Sequence, residues 1–293
     1  MEYREFGNTG LNVSAIGLGT THLGKATFSD QDAEKLLNRI VDLGITLIDT
    51  AKAYGEAERR IGMYLSHRRN EIVISTKAGK DYDYIPEFKY QDILSDIDRS
   101  LKLLKTDRID ILHLHSCSKE DLEKGEAILA LEKAKEQGKI RLMAYSGENE
   151  ALSYAISTGR FDSIQCSVNI CDQRAMGDQI PEARIKGLGI IAKRPMANAP
   201  WKYDEPPAGH YSAEYWHRLK KMNIQRNDLD WAELALRFSI FAEGISSGIV
   251  GTRSLDHLME NIRAVEKGPL DPELIEHIHS EFSKNDDQWG GLI

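Results

Sequence analysis

The stretch 45–55 reads ITLIDTAKAYG, 71–79 reads EIVISTKAG and 110–116 reads DILHLHS. Each contains a short apolar run that closes on a residue with proton chemistry: Asp49, Lys77 and His115, with Tyr54 just beyond Asp49. Apolar runs of this length, rich in Ile, Leu and Val, suit buried parallel strands. Three of them ending on polar groups would bring those groups together at one end of one sheet.

The same kind of run recurs along the chain. Strand candidates are SAIGLG from Ser14, ITLID from Ile45, IVIST from Ile72, IDILHLH from Ile109, IRLMAYS from Ile140, SIQCS from Ser163, LGIIA from Leu188 and SSGIVG from Ser246. Helical patterns lie between them. Ser29 and Asp32 form a capping box ahead of Leu36, Leu37, Ile40 and Leu43, and Gly44 sits where a left-handed helix end belongs. Further helices are expected near 56–65, 91–104, 126–137, 150–157, 179–186, 228–242 and 255–267. Strand and helix in strict alternation make an α/β protein with a parallel sheet, and eight of each predict a closed (β/α)₈ barrel. With no linker or low-complexity tract between the units, residues 1–293 read as a single barrel domain.

Other segments decorate that barrel. Tyr3 and Phe6, the turn Gly7-Asn8-Thr9-Gly10, then Leu11 and Val13 predict a β-hairpin over one end. The segment 195–226, with Trp201, Tyr203, Tyr211, Tyr215 and Trp216, reads as the longest irregular stretch, either a lid or a surface loop whose aromatics pack down. A helix over 272–282 and the tail around Trp289 extend past the eighth helix and are candidates to cross the barrel mouth.

Composition narrows the function classes. With 46 acidic and 38 basic residues, the net charge of −8 has the wrong sign to attract nucleic acid or an anionic membrane surface. No run approaches the roughly 20 apolar residues that span a bilayer, and MEYREFGNTG lacks the apolar segment of a signal peptide, so a cytoplasmic location is expected. Cys117, Cys166 and Cys171 suit buried thiols in a reducing compartment, and their spacing matches no zinc finger. No metal is required.

In a (β/α)₈ barrel, chemistry sits at the C-terminal ends of the strands. Asp49, Lys77, His115 and Ser146 would end successive strands there. Each alone also reads as something plainer: a helix cap, a solvated lysine, an interior histidine, or in Tyr54 a packing residue. Together they match reduction of a carbonyl by hydride, in which the oxygen must be stabilised and then protonated. A tyrosine is a weak acid, and an adjacent ammonium favours its ionised form. Lys77 would supply that charge, Asp49 would hold Lys77 charged, and His115 would orient the substrate oxygen. His113 shares the strand face of His115 but lies nearer the strand middle, where a core role is expected.

The stretches GLGT (17–20), DTAKAYG (49–55), STKAG (75–79), RIDILHLH (108–115), GKIRLMAYSG (138–147) and the pair Glu260-Asn261 resemble the aldo-keto reductases over essentially the whole chain. The DTAxxYG pattern is specific to that family, and the others are individually modest. The resemblance implies a barrel with the hairpin at its floor, a nicotinamide cofactor with NADPH favoured over NADH, and Asp49, Tyr54, Lys77 and His115 as the catalytic tetrad. It further implies cofactor contacts at Gly19 and Thr20, and carboxamide contacts at Ser146 and Gln165, with Asn169 following. Lys193 or Arg194 stands where many members stack an aromatic ring. Gly251, Thr252, Arg253, His257, Glu260 and Asn261 stand at the adenosine end.

Two positions depart from the family pattern. Ser146-Gly147 replaces the frequent Ser-Asn, so one amide contact is missing or supplied by Asn149, and His257 stands where a basic residue often meets the 2′-phosphate. No GxGxxG follows the first strand, which sets the chain apart from the Rossmann architecture. The implied activity is NAD(P)H-dependent reduction of a small aldehyde or ketone. The alternative is a cofactor-binding sensor or regulatory barrel with slow turnover. Substrate choice is expected from Thr20, Thr21 and His22, from the aromatic segment and from the tail. The sequence specifies neither the substrate nor an oligomeric state.

Overall fold

The computed structural model describes residues 1–209 and 212–293, so Tyr211 of the aromatic segment lies outside the described residues. Two short strands, β1 (Tyr3–Glu5) and β2 (Asn12–Ser14), pair antiparallel as the expected hairpin. Eight parallel strands follow and close into a barrel: β3 (Ile16–Gly19), β4 (Leu47–Asp49), β5 (Val73–Ala78), β6 (Ile109–His115), β7 (Ile140–Ser146), β8 (Ser163–Ser167), β9 (Gly189–Lys193) and β10 (Ser247–Gly251). They are ordered sequentially, and β10 returns to pair with β3. All eight apolar runs in the sequence are barrel strands.

The outer layer of helices buries one face each against the strands. In the first helix, Asp30–Asp42, the buried residues Leu36, Leu37, Ile40 and Val41 recur at helical spacing, and the Ser29 hydroxyl accepts the backbone N–H of Asp32 to cap its start. Gly44 follows with φ +84°, the left-handed conformation that ends the helix. The barrel floor is sealed from below. Phe6, Leu11 and Val13 of the hairpin pack against Leu47, Ile111, Leu142, Ala144 and Ile191, which point inward from four strands. The opposite end carries the polar strand termini.

The segment 195–226 differs from expectation. It contains a helix, Ala213–Lys221, because Tyr215, Arg218 and Leu219 share one buried face at helical spacing; the surrounding charges and aromatics mask that period in the sequence. A second apolar cluster forms here from Ile170, Tyr215, Leu219, Phe238, Phe282 and Trp289. Trp201 stacks on Trp231 with ring centroids 6.0 Å apart and planes within 16°. Trp201 and Tyr215 pack down, while Tyr203 is exposed. The tail joins the same cluster: Trp289 is buried, with Phe282 5.4 Å away edge-on and the Arg218 guanidinium 5.2 Å from its ring. Among the described residues no helix is long and apolar enough to cross a membrane.

Candidate active site

Strand register brings the sequence-predicted residues together. Asp49 lies opposite Gly19 on one side and Ser75 on the other, and Lys77 lies opposite His113. His115 lies opposite Ser146, which in turn lies opposite Gln165. Side chains alternate along a strand, so Ser75 and Lys77 share one face of β5, and His113 and His115 share one face of β6. Polar groups separated by up to 116 residues thereby meet inside one barrel mouth.

The Asp49–Lys77 pair is the centre of that meeting. Lys77 Nζ donates to Asp49 Oδ2 at 2.6 Å and to the Thr50 carbonyl at 2.8 Å. The side chains are 2% and 1% exposed, so neither charge has water to fall back on. Asp49 Oδ1 accepts from Ser75 Oγ and from Gln165 Nε2, both at 2.8 Å. Ser146 Oγ donates to Gln165 Oε1 at 2.9 Å, extending the chain of bonds across the barrel. Every charged atom of the pair is met by a partner, which a buried ion pair needs to persist.

Tyr54 is held beside the pair by close backbone packing. Its ring centroid lies 5.0 Å from Lys77 Nζ and 6.0 Å from the His115 ring, which it meets edge-on. The loop has no slack, since a side chain at Gly24 would begin 1.9 Å from the Tyr54 carbonyl oxygen. Gly55, with φ +51°, lets the chain turn away directly afterwards. His115 is buried; burial first, then the ammonium groups of Lys77, Lys80 and Lys193, hold its imidazole well below the usual histidine range. It is therefore neutral near pH 7, and its Nδ1 has no hydrogen-bond partner among the described residues. A neutral imidazole with an uncommitted ring nitrogen can serve a substrate oxygen. His113 is fully buried with Nε2 3.0 Å from Ser75 Oγ, and burial, then Lys77, lowers its pKa to about 3. It is the interior histidine the sequence suggested.

Sequence comparison places the barrel in a family: residues 15–281 fit the aldo/keto reductase family. The chain belongs to that family. It is 30% identical to an L-galactose dehydrogenase of Arabidopsis thaliana, covering 96% of this chain and 94% of the relative. It is 29% identical to a D-threo-aldose 1-dehydrogenase of a Pseudomonas species, covering 86% and 89%. The holo form of an aldo-keto reductase from Bacillus halodurans superimposes with a TM-score of 0.84 at 26% identity, covering 96% of each chain. The protein is thus an oxidoreductase of a family that uses nicotinamide cofactors.

The residues around the mouth of this aldo-keto reductase fit an anionic dinucleotide. Arg253 is exposed just past β10, immediately before the helix Leu255–Glu266, whose N-terminus carries the positive end of its dipole. His257 and Glu260 are exposed in that helix and Asn261 is buried. Thr252 is buried, and its hydroxyl donates to the Ser254 carbonyl. Gly251 is exposed, with His22 3.5 Å from where a side chain there would begin. His22, expected from the sequence to help set substrate choice, thus lies at the end of β10, and burial, then the Arg253 charge, lowers its pKa. Asn169 Nδ2, buried after β8, has no partner among the described residues and is a donor in reserve for an amide oxygen.

Other expected contacts are already committed. Thr20 is fully buried and donates its hydroxyl to the Asp49 carbonyl at 2.9 Å, and Gly19 lies opposite Gly251 on β10, so these residues join strands at the mouth. Lys193 Nζ pairs with Glu148 at 3.0 Å. Arg194 donates to Ser167 Oγ at 3.1 Å and to the Leu292 carbonyl. Asn149 serves the tail: its side chain exchanges hydrogen bonds with the Gly291 backbone at 2.9 and 2.7 Å.

Three features of the mouth escaped the sequence. Glu148 is buried and accepts from both Ser167 N and Oγ, at 2.9 and 2.8 Å. Asp172 accepts from Tyr215 Oη at 2.9 Å, and burial, then the Glu148 charge, raises its pKa to about 6. Tyr84 also meets the His115 ring, with centroids 5.8 Å apart. Acidic residues after strands read as solvated loop positions, and only the tyrosine-rich composition of KDYDYIPEF hinted at the third.

The bond from Gln165 to Asp49 is open to test. Gln165→Leu removes a fully buried donor from the carboxylate and an acceptor from Ser146, which should lower stability by about 1–3 kcal/mol in urea unfolding. An unchanged unfolding midpoint would mean that Gln165 does not support the pair.

Proposed function

We propose that the protein reduces an aldehyde or ketone to an alcohol, with Tyr54 as general acid and NADPH as the preferred cofactor. The observation that carries this reading is the buried Asp49–Lys77 pair, with its ammonium 5.0 Å from the Tyr54 ring and the His115 ring meeting that ring edge-on at 6.0 Å. The bound nicotinamide supplies the hydride that adds to the carbonyl carbon. As negative charge develops on the carbonyl oxygen, the Tyr54 hydroxyl gives it a proton. Lys77 stabilises the phenolate left behind, and Asp49 fixes the ammonium in place through their 2.6 Å hydrogen bond. Neutral His115 donates a hydrogen bond that fixes the carbonyl oxygen against Tyr54. The buried floor of hairpin and inward apolar residues keeps water from entering below the reacting atoms.

A sugar is the carbonyl–alcohol pair favoured by the comparisons, since two relatives that align over most of their length are named as sugar dehydrogenases. By microscopic reversibility the same groups run that oxidation, with Tyr54 accepting the proton. The preference for NADPH rests on Arg253: its guanidinium can meet a 2′-phosphate with two parallel bonds, on a protein whose net charge of −8 otherwise repels it.

Two experiments bear on this reading. Tyr54→Phe removes only the hydroxyl, so carbonyl reduction should fall by about 10²–10⁴ while cofactor affinity survives; near-normal turnover would remove Tyr54 from the chemistry. Arg253→Ala should weaken NADPH by about tenfold to a hundredfold and NADH far less, measured by quenching of protein fluorescence. Equal losses for both cofactors would show that Arg253 does not read the phosphate.

A further inference from the structure

The loop between β5 and the helix Tyr90–Leu104 is anchored at both ends and presents its tip at the barrel mouth. Lys80 bridges Pro86, Asp81 N donates to the Ile85 carbonyl at 3.3 Å, and Ile85 N donates to Asp81 Oδ1 at 2.8 Å, closing a small turn. Beyond it, Glu87 N donates to the Gly79 carbonyl at 2.9 Å and the Glu87 carboxylate meets Lys52 at 2.8 Å. Phe88, buried, packs where a side chain on Gly79 would stand. A loop braced in this way holds a side chain at its tip in a defined place.

Three of the four tip residues 82–85 are large and apolar or aromatic, and they are exposed: Tyr82 at 69%, Tyr84 at 48% and Ile85 at 56%. Tyr84 adopts φ +62°, a conformation that costs a bulky residue free energy and that clusters at functional sites. That strained backbone places the ring on His115, centroids 5.8 Å apart at 62°, and the same imidazole meets the Tyr54 ring at 6.0 Å. The imidazole thus contacts two tyrosines, one proposed to give the proton and one half exposed at the entrance. An aromatic face fixed beside the hydrogen-bond donor to a carbonyl has one evident use, which is to hold the flat part of the molecule that carries the carbonyl.

We infer that Tyr84 is a specificity-determining residue that takes ring-bearing substrates, with the apolar face of an aryl or sugar ring laid against the Tyr84 ring while the carbonyl points at His115 and Tyr54. The inference rests on the carbonyl-reductase reading and adds the substrate's shape to it. Stacking of this kind is worth about a factor of ten in affinity. It acts on binding and leaves proton transfer to the tetrad.

The test compares kcat and KM for benzaldehyde, a cyclic aldose and propanal in the wild type, Tyr84→Phe and Tyr84→Gly. Glycine accepts φ +62° without strain, so the loop keeps its path while losing the ring. The expected result is a KM for ring substrates that rises about tenfold more than that for propanal in Tyr84→Gly, with Tyr84→Phe restoring the wild-type ratio. A ratio that moves for benzaldehyde alone assigns an aryl ring, and one that moves for the aldose alone assigns a sugar. KM changes of equal size for ring and open-chain substrates, or none, overturn the inference while the reductase reading stands. A wild type idle on all three overturns both.

Discussion

A carboxylate and an ammonium buried together at the top of the barrel set the terms for everything around them. Desolvating two charges costs several kcal/mol each, and the Coulombic attraction offsets this only when every remaining polar atom finds a partner. Here the partners come from across the fold: Ser75 on β5, Gln165 on β8 and the Thr50 carbonyl after β4 all bond to Asp49 or Lys77. The barrel has to close in its observed register for those groups to arrive. Fold and site are therefore one constraint, because a slip of a single residue in β5 would turn Lys77 to the other face of the sheet.

That coupling explains what was legible in the sequence. The eight strands could be read because buried parallel strands are almost continuously apolar, and the meeting of Asp49, Tyr54, Lys77 and His115 could be read because each ends or follows such a run. Helix starts with a side-chain cap, as at Ser29, were equally plain. The helix Ala213–Lys221 was not, since its buried face includes Arg218, whose guanidinium lies over the Trp289 ring and donates to backbone carbonyls. Charge normally marks the solvent face, and here it marks an inner one. The tail partners of Asn149 and Arg218 were unreadable for a different reason: they are backbone groups, and any sequence would supply them.

Residues with costly backbone geometry gather at the mouth. Tyr84 follows β5, Ser116 follows β6, Asn149 follows β7, and Arg194, Ala197, Asn198 and Ala199 follow β9, all with positive φ and none of them glycine. Three consecutive left-handed residues in the last loop are an expense that a merely connecting segment would avoid. The strain sits above closed strands and near a tail pinned by Asn149 and Arg218. Loops shaped in this way hold one conformation before a ligand arrives, so little ordering remains to be done on binding.

The central claim is that the buried pair exists for chemistry and not for stability, and the double variant Asp49→Asn, Lys77→Met tests it most directly. Replacing both charges with neutral groups of similar size leaves no unpaired buried ion, so the unfolding free energy should stay within about 2 kcal/mol of wild type. Carbonyl reduction by the same folded protein should fall by at least about a hundredfold, because the proposed acid Tyr54 would lose the charge proposed to stabilise its phenolate. Turnover close to wild type in the folded double variant would contradict the account.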